Sequence, residues 1–108
     1  ANRLAAGDRA RARQLADEAT SLFAVLAGQG PLQQVVRWRY AGALGIAADV
    51  DREDGRPDRA CAGYRQAEAL YAEADRQSPL TDMVKRDFER VAGRLGDCGS
   101  GPARPLVP

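Results

Sequence analysis

Apolar and small residues recur at steps of three and four along four stretches of the chain. The first and third stretches carry the series Ala12, Ala16, Ala19, Phe23 and Leu26, and Ala60, Tyr64, Ala67, Tyr71 and Ala74. The second and fourth stretches carry the series Leu32, Val36, Tyr40, Ala43 and Ala47, and Leu80, Val84, Phe88, Val91 and Leu95. Steps of three and four place side chains on one face of an α-helix. The pattern therefore predicts an all-α fold with helices near residues 8–28, 31–53, 57–76 and 79–96.

Proline and glycine mark the predicted boundaries of these helices. Pro31 and Pro79 fit the first position of a helix, where the N–H that proline lacks is not needed. Gly7 and Gly55 fit positions where a helix stops. Glycine and proline then cluster at the end of the chain, and we expect residues 99–108 to form a disordered tail.

The sequence repeats itself when it is shifted by the 48 positions that separate Gly7 from Gly55. The non-alanine residues that match after this shift include Gln29, Pro31, Leu32, Val36, Gly45 and Asp49 on Gln77, Pro79, Leu80, Val84, Gly93 and Asp97. We therefore expect two repeat units, at about 7–54 and 55–98. Because the chain begins partway through a unit and repeat arrays usually need about three units, we expect either further units before it or self-association.

The second unit resembles a tetratricopeptide repeat. The residues that match the family's small-residue pattern are Ala47, Ala48, Gly55, Ala60, Tyr64 and Ala67. The usual period is about 34 residues, and two extra turns in each helix lengthen it without rotating the apolar face. The resemblance implies four antiparallel helices in two stacked helix-turn-helix hairpins, which form a fragment of a right-handed α-solenoid.

Two further segments, 62–68 and 85–97, are similar to regions that follow serine/threonine kinase domains in bacteria. This resemblance implies that the chain is the C-terminal part of a larger bacterial signalling protein such as a kinase. Tetratricopeptide families hold peptides or partner helices, so the resemblance also implies a protein or peptide partner. We expect a non-catalytic protein–protein interaction or regulatory module, with self-association into a homo-oligomer as the alternative.

The composition argues against several other functions. The chain has no histidine, which removes histidine-activated nucleophiles and histidine-bearing metal sites, so we expect no enzyme activity, metal or cofactor here. Its 16 basic and 15 acidic residues leave a net charge of +1. A charge this small does not favour nucleic acid, although the many arginines keep RNA or DNA binding as a third hypothesis. No run of about 18 apolar residues is present, so we expect no membrane insertion.

A line of residues beside the core face of the second predicted helix suggests a groove for a peptide. The candidate peptide-binding residues on this helix and on the fourth helix are Trp38, Gly42, Gly45, Asp49, Arg52, Arg86 and Arg90. The glycines would leave open backbone next to the tryptophan, and the arginines could pair with a carboxylate of the ligand. Alternatively, the glycines admit a neighbouring helix and Trp38 packs against the fold.

The two cysteines, Cys61 and Cys98, are a candidate disulfide. A turn near Gln77 and Ser78 places Cys61 opposite Arg94, one helical turn from Cys98. A disulfide needs Cα atoms within about 7 Å, so both the bonded pair and two free thiols stay open. Disulfides persist in oxidising compartments. The location therefore also stays open between the cytoplasm, which we favour, and the outer side of a membrane that anchors a larger parent protein.

Overall fold

The computed structural model describes the backbone of residues 6–100 and the side chains of residues 7–98. The described residues form four α-helices and no β-strand, which confirms the all-α prediction. The helices are α1 (Ala6–Gly28), α2 (Gln34–Glu53), α3 (Pro57–Gln77) and α4 (Asp82–Ser100).

Helices α2 and α4 begin at Gln34 and Asp82, beyond the prolines that were expected to start them. Before α2, the carbonyl oxygen of Leu32 accepts hydrogen bonds from Arg37 Nη2 at 3.1 Å and Gln77 Nε2 at 3.3 Å. Side chains therefore take the place of the helical N–H that this carbonyl would otherwise bond. Before α4, the connecting segment carries Leu80 into the core. The prediction that Pro31 and Pro79 occupy the first helical position is wrong.

Of the two glycines that were predicted to stop a helix, one follows a helix and the other lies inside one. Gly55 follows α2 with a φ of 76°, a left-handed conformation that favours glycine. Gly7 lies inside α1, so its predicted role as a helix stop is wrong. Helix α4 includes residues 99 and 100, where the disordered tail was expected to begin, and the rest of that segment, 101–108, lies outside the described residues.

Small side chains and two tyrosines form most of the core. The buried core cluster consists of Ala41, Ala48, Ala60, Tyr64, Ala67, Tyr71, Ala74, Leu80, Val84 and Val91. Half of these residues are alanines, which allow helix axes to approach closely. The two tyrosine rings fill much of the remaining space, since they are the largest side chains that are fully buried.

Two aromatic contacts repeat at the 48-residue spacing of the sequence. The rings of Phe23 and Tyr40 lie 5.6 Å apart between α1 and α2, and those of Tyr71 and Phe88 lie 5.5 Å apart between α3 and α4. Shifting the first pair by one repeat gives the second pair. The same kind of contact therefore joins the two helices in each half of the chain.

Helix α2 is the centre of the packing. It contacts each of the other three helices, and α4 packs mainly on α3. Within the described residues, α1 contacts α2 and no other helix. None of the four helices, over the same residues, combines the length and the apolarity needed to cross a bilayer.

Candidate functional site

Helix α1 carries an apolar face that no other described helix covers. Leu15, Leu22, Val25 and Leu26 are 53%, 60%, 59% and 37% exposed. Leu15, Leu22 and Leu26 are separated by seven and four residues, so they lie on one side of the helix. The side that packs on α2 is a different one, which includes the buried Ala16 and the Phe23 ring. We call the exposed set of Leu15, Leu22, Val25 and Leu26 the α1 stripe.

The predicted peptide groove begins at Trp38, which is only partly exposed. Its indole packs against the core cluster, and the guanidinium carbon of Arg39 lies 5.6 Å from the ring centroid. The packed indole agrees with the alternative hypothesis that Trp38 packs against the fold.

The glycines of the predicted groove face neighbouring helices. A Cβ atom added at Gly42 would lie 3.7 Å from the Tyr71 hydroxyl oxygen. One added at Gly45, which is buried, would lie 3.5 Å from Val91 Cγ2 and 3.8 Å from Arg90 Nη2. Side chains of α3 and α4 therefore lie beside these two glycines, as in the alternative in which the glycines admit a neighbouring helix.

Two of the charged residues of the predicted groove, Asp49 and Arg90, pair with each other. Asp49 accepts hydrogen bonds from the Tyr64 hydroxyl and from Arg90 Nη1, the latter at 2.9 Å. Arg90 and Arg86 are both exposed, and Arg90 is the one that pairs with Asp49. Arg52 lines a separate cavity that is described below.

The environment of Tyr64 shows how these charges act on the core. Burial raises the pKa of Tyr64 well above its ordinary value, and the hydrogen bond to Asp49 and the negative charge of Asp49 add to the increase. The positive charges of Arg94 and Arg52 act in the opposite direction. Both arginines therefore lie near the tyrosine hydroxyl.

The acidic end of α2 forms ion pairs with residues of α1, α3 and α4. Besides the Asp49–Arg90 pair, Asp51 pairs with Arg13 of α1, and Asp54 accepts a hydrogen bond from Arg9 Nε at 3.0 Å. Asp51 is buried, so its pairing with Arg13 holds a carboxylate inside the fold. Among the described residues, no group of three or more metal-binding side chains is close enough to hold a metal ion.

Cys61 of α3 and Cys98 of α4 form a disulfide, with their Cα atoms 5.9 Å apart. The connection between α3 and α4 is longer than the sequence indicated, because α4 begins at Asp82 instead of Pro79. The register between the two helices therefore shifts by about one turn, and Cys61 faces Cys98 instead of Arg94. Both cysteines of the described chain are bonded.

The disulfide forms part of the wall of a cavity of about 600 Å³. The cavity lies where the end of α2, the start of α3 and the end of α4 meet, and each helix contributes an arginine: Arg52, Arg65 and Arg94. Of these three, only Arg52 was among the residues predicted to bind a ligand. The repeat gives no signal for the cavity, because the cysteines that close it occur in one unit only.

These features leave two surfaces with the character of binding sites, the α1 stripe and the cavity beside the disulfide. A comparison of the chain with protein-family models, with curated proteins and with solved structures finds no significant match to any of them.

Proposed function

We propose that this chain is a non-catalytic helical module that binds another polypeptide through the α1 stripe. The observation that carries the proposal is the exposure of four large apolar side chains on a helix that, within residues 6–100, contacts one other helix. Leu22, Val25 and Leu26 are neighbours on this helix, and Leu15 lies two turns away beyond the exposed Glu18. Exposed apolar surface of this kind commonly marks a protein interaction site.

The spacing of the α1 stripe favours a helix as the bound element. Leu15, Leu22 and Val25 are separated by seven and three residues, the spacing with which helices pack side by side. Fully burying a leucine or valine side chain contributes about 1.5–3 kcal/mol. Four side chains that are already partly buried can therefore contribute several kcal/mol to binding a partner helix.

We further propose that the four helices form two stacked antiparallel hairpins, as in a fragment of a tetratricopeptide-like solenoid. The recurrence of the aromatic contact at Phe23–Tyr40 and Tyr71–Phe88 supports this arrangement. In a solenoid each repeat packs on its neighbours and the terminal capping helices are polar outside, so an apolar outer face is typical of a helix on which a further element packs. The α1 stripe has the position that such a face requires.

The polypeptide that covers the α1 stripe is either a second copy of this chain or a different segment of protein. A role within a larger bacterial signalling protein, such as one with a kinase domain, rests on the sequence resemblance and is part of the proposal. RNA or DNA binding has less support, because the arginines of α1 and α4 described above pair with the acidic end of α2.

A matched pair of variants tests the proposed surface. Leu22→Glu places a charge in the centre of the α1 stripe, and Met83→Glu places one at a residue of α4 that is 75% exposed. Both residues are exposed, so each variant should keep the stability of the wild type within about 0.5 kcal/mol. The size of the assembly is measured by sedimentation, both for the purified chain and for the intact protein in extracts of its natural host.

We expect Leu22→Glu to reduce the size of the assembly and Met83→Glu to leave it unchanged. A reduction seen with the purified chain assigns the partner as a second copy, and a reduction seen only in the extract assigns a different polypeptide. Equal sizes for the wild type and Leu22→Glu under both conditions would contradict the proposal.

A further inference from the structure

The cavity beside the disulfide combines convergent positive charge with an apolar wall. Arg52, Arg65 and Arg94 line it from three different helices, together with the carboxylates of Asp58 and Asp97. Three guanidinium groups and two carboxylates leave one net positive charge. The lining therefore matches a ligand group that carries a single negative charge.

Among the three arginines that line the cavity, Arg94 is the one with a buried donor that lacks a partner. Its Nε atom is buried and has no hydrogen-bond partner among the described residues. A buried donor without an acceptor is unfavourable, and a charge-assisted bond from an anion would relieve this cost. Arg65 is exposed and lies on the facing helix, so its guanidinium is free to turn toward the same anion.

The start of α3 adds to the positive character of the cavity. Pro57 occupies the first turn of α3, and no side chain caps this end of the helix. The backbone N–H groups in a first turn have no partner within the helix, and the helix dipole makes this end positive. Pro57, Asp58 and Ala60, which belong to this end of α3, line the cavity.

The rest of the wall is suited to an apolar group. The Cys61–Cys98 disulfide and Pro57 present apolar surface to the cavity, and the almost fully buried Ala60 and Tyr64 lie behind them. An anion with no apolar part would leave this apolar surface exposed to water, whereas a short aliphatic side chain would bury it. A phosphate, with its second negative charge, would be repelled by Asp58 and Asp97 more strongly than a carboxylate.

We propose that this cavity binds a carboxylate attached to a short apolar group, with the carboxylate held by Arg94 and Arg65 and the apolar group against the disulfide. The site lies apart from the α1 stripe and does not depend on the function proposed for that surface. Two sources supply such a group: the carboxyl terminus of a polypeptide with an apolar last residue, and a free aliphatic acid.

Calorimetric titration of the oxidised chain with three probes tests this site. The probes are acetyl-leucyl-leucine with a free carboxyl group, the same peptide as its carboxamide, and hexanoate. We expect the free peptide to bind and the carboxamide to bind at least about tenfold more weakly, because the charged hydrogen bonds are lost. Hexanoate that binds as tightly as the peptide assigns a free acid as the ligand, and weaker binding of hexanoate assigns a polypeptide terminus. Equal binding of peptide and carboxamide, or binding by none of the probes, would overturn the proposal.

Variants of single arginines identify the groups that hold the carboxylate. Arg94→Gln and Arg65→Gln should each weaken the tightest carboxylate probe about tenfold, and the matched control Arg11→Gln, an exposed arginine of α1, should not change the affinity. The Nε–H signal of Arg94, followed by NMR, should shift on addition of that probe. Unchanged affinity in both cavity variants would refute the assignment, and because Arg65 is exposed, its variant tests the site even if Arg94→Gln does not fold.

Discussion

Breaking the Cys61–Cys98 disulfide should remove a large part of the stability of this fold. The two cysteines are 37 residues apart in the sequence, so the bond closes a long loop that includes all of the connection between α3 and α4. Closing a loop of this size lowers the entropy of the unfolded chain by an amount that stabilises the native state by about 4 kcal/mol.

This contribution is large in relation to what the core supplies. Alanine makes up half of the buried core cluster, and each buried alanine removes less apolar surface from water than a leucine or phenylalanine does. Domains of this length are stable by about 5–15 kcal/mol in total. We therefore expect the reduced chain to be marginally stable.

The assay is urea unfolding of the oxidised chain, the reduced chain and the double variant Cys61→Ser/Cys98→Ser. With a denaturant dependence of about 1–3 kcal/mol/M, a loss of about 4 kcal/mol lowers the midpoint by roughly 1–4 M. The double variant is the control, because its midpoint should be low and should not respond to reductant. The same midpoint for the oxidised and reduced chains would refute the stabilising role of the bond, and a free thiol titre in the oxidised chain would refute the bond itself.

Three other changes test the core, the ion-pair network and the buried tyrosines. Ala67→Leu should lower the free energy of unfolding by about 1–3 kcal/mol, because Ala67 has no exposed surface and the core has no room for a larger side chain. The control Ala69→Leu, at an exposed position of α3, should have little effect. Equal urea midpoints for these two variants would contradict the packing. Arg13→Ala should cost about 1–3 kcal/mol, because it removes the closest partner of the buried Asp51, whereas Arg11→Ala, on the exposed side of α1, should change thermal stability by less than about 0.5 kcal/mol. Burial raises the pKa of Tyr71 to about 12. The neutral Tyr71 therefore contributes fully to the free energy of unfolding below pH 10.0, the ordinary pKa, and about 2–3 kcal/mol of that free energy is lost as the pH rises through about 12. Urea midpoints across this range should fall less steeply for Tyr71→Phe, and an identical slope would exclude Tyr71 as the cause of the loss.

The sequence was sufficient to predict the four helices, because the periodicity of small and apolar residues directly reflects which side of each helix is buried. Ala67 and Tyr71 were placed correctly on the core face for this reason. Helix starts were less predictable. The carbonyl of Leu32 bonds to the side chain of Gln77, which is distant in the sequence, and no local signal at Pro31 contains that information.

Contacts between helices were the part that the sequence could not supply. The pairing of Asp51 with Arg13 could not be predicted, because the two residues are 38 positions apart and lie on different helices. The disulfide register depended on where α4 begins, and three residues of difference at Asp82 moved Cys98 by nearly one turn. The cavity depends on this same register, so its arginines could not be grouped from their positions in the chain.

The 48-residue repeat relates the positions of two different contacts, an ion pair in the first half of the chain and a disulfide in the second. Shifting Cys61 back by one repeat gives Arg13, and the partner of Arg13, Asp51, lies one residue from the position equivalent to Cys98. An ion pair between α1 and α2 therefore occupies nearly the same place as the disulfide between α3 and α4. The two contacts respond to different conditions, since high salt weakens the ion pair and reductant breaks the disulfide.

The most direct test of the proposed function is site-specific photo-crosslinking from the α1 stripe. A photoreactive amino acid is placed at position 22 in the intact protein in its natural host, and at position 83 in a matched control. We expect a defined covalent adduct with one polypeptide from position 22, lost when Leu15→Glu is added, and no such adduct from position 83. The same adducts from both positions, or none from position 22, would contradict a binding surface on α1.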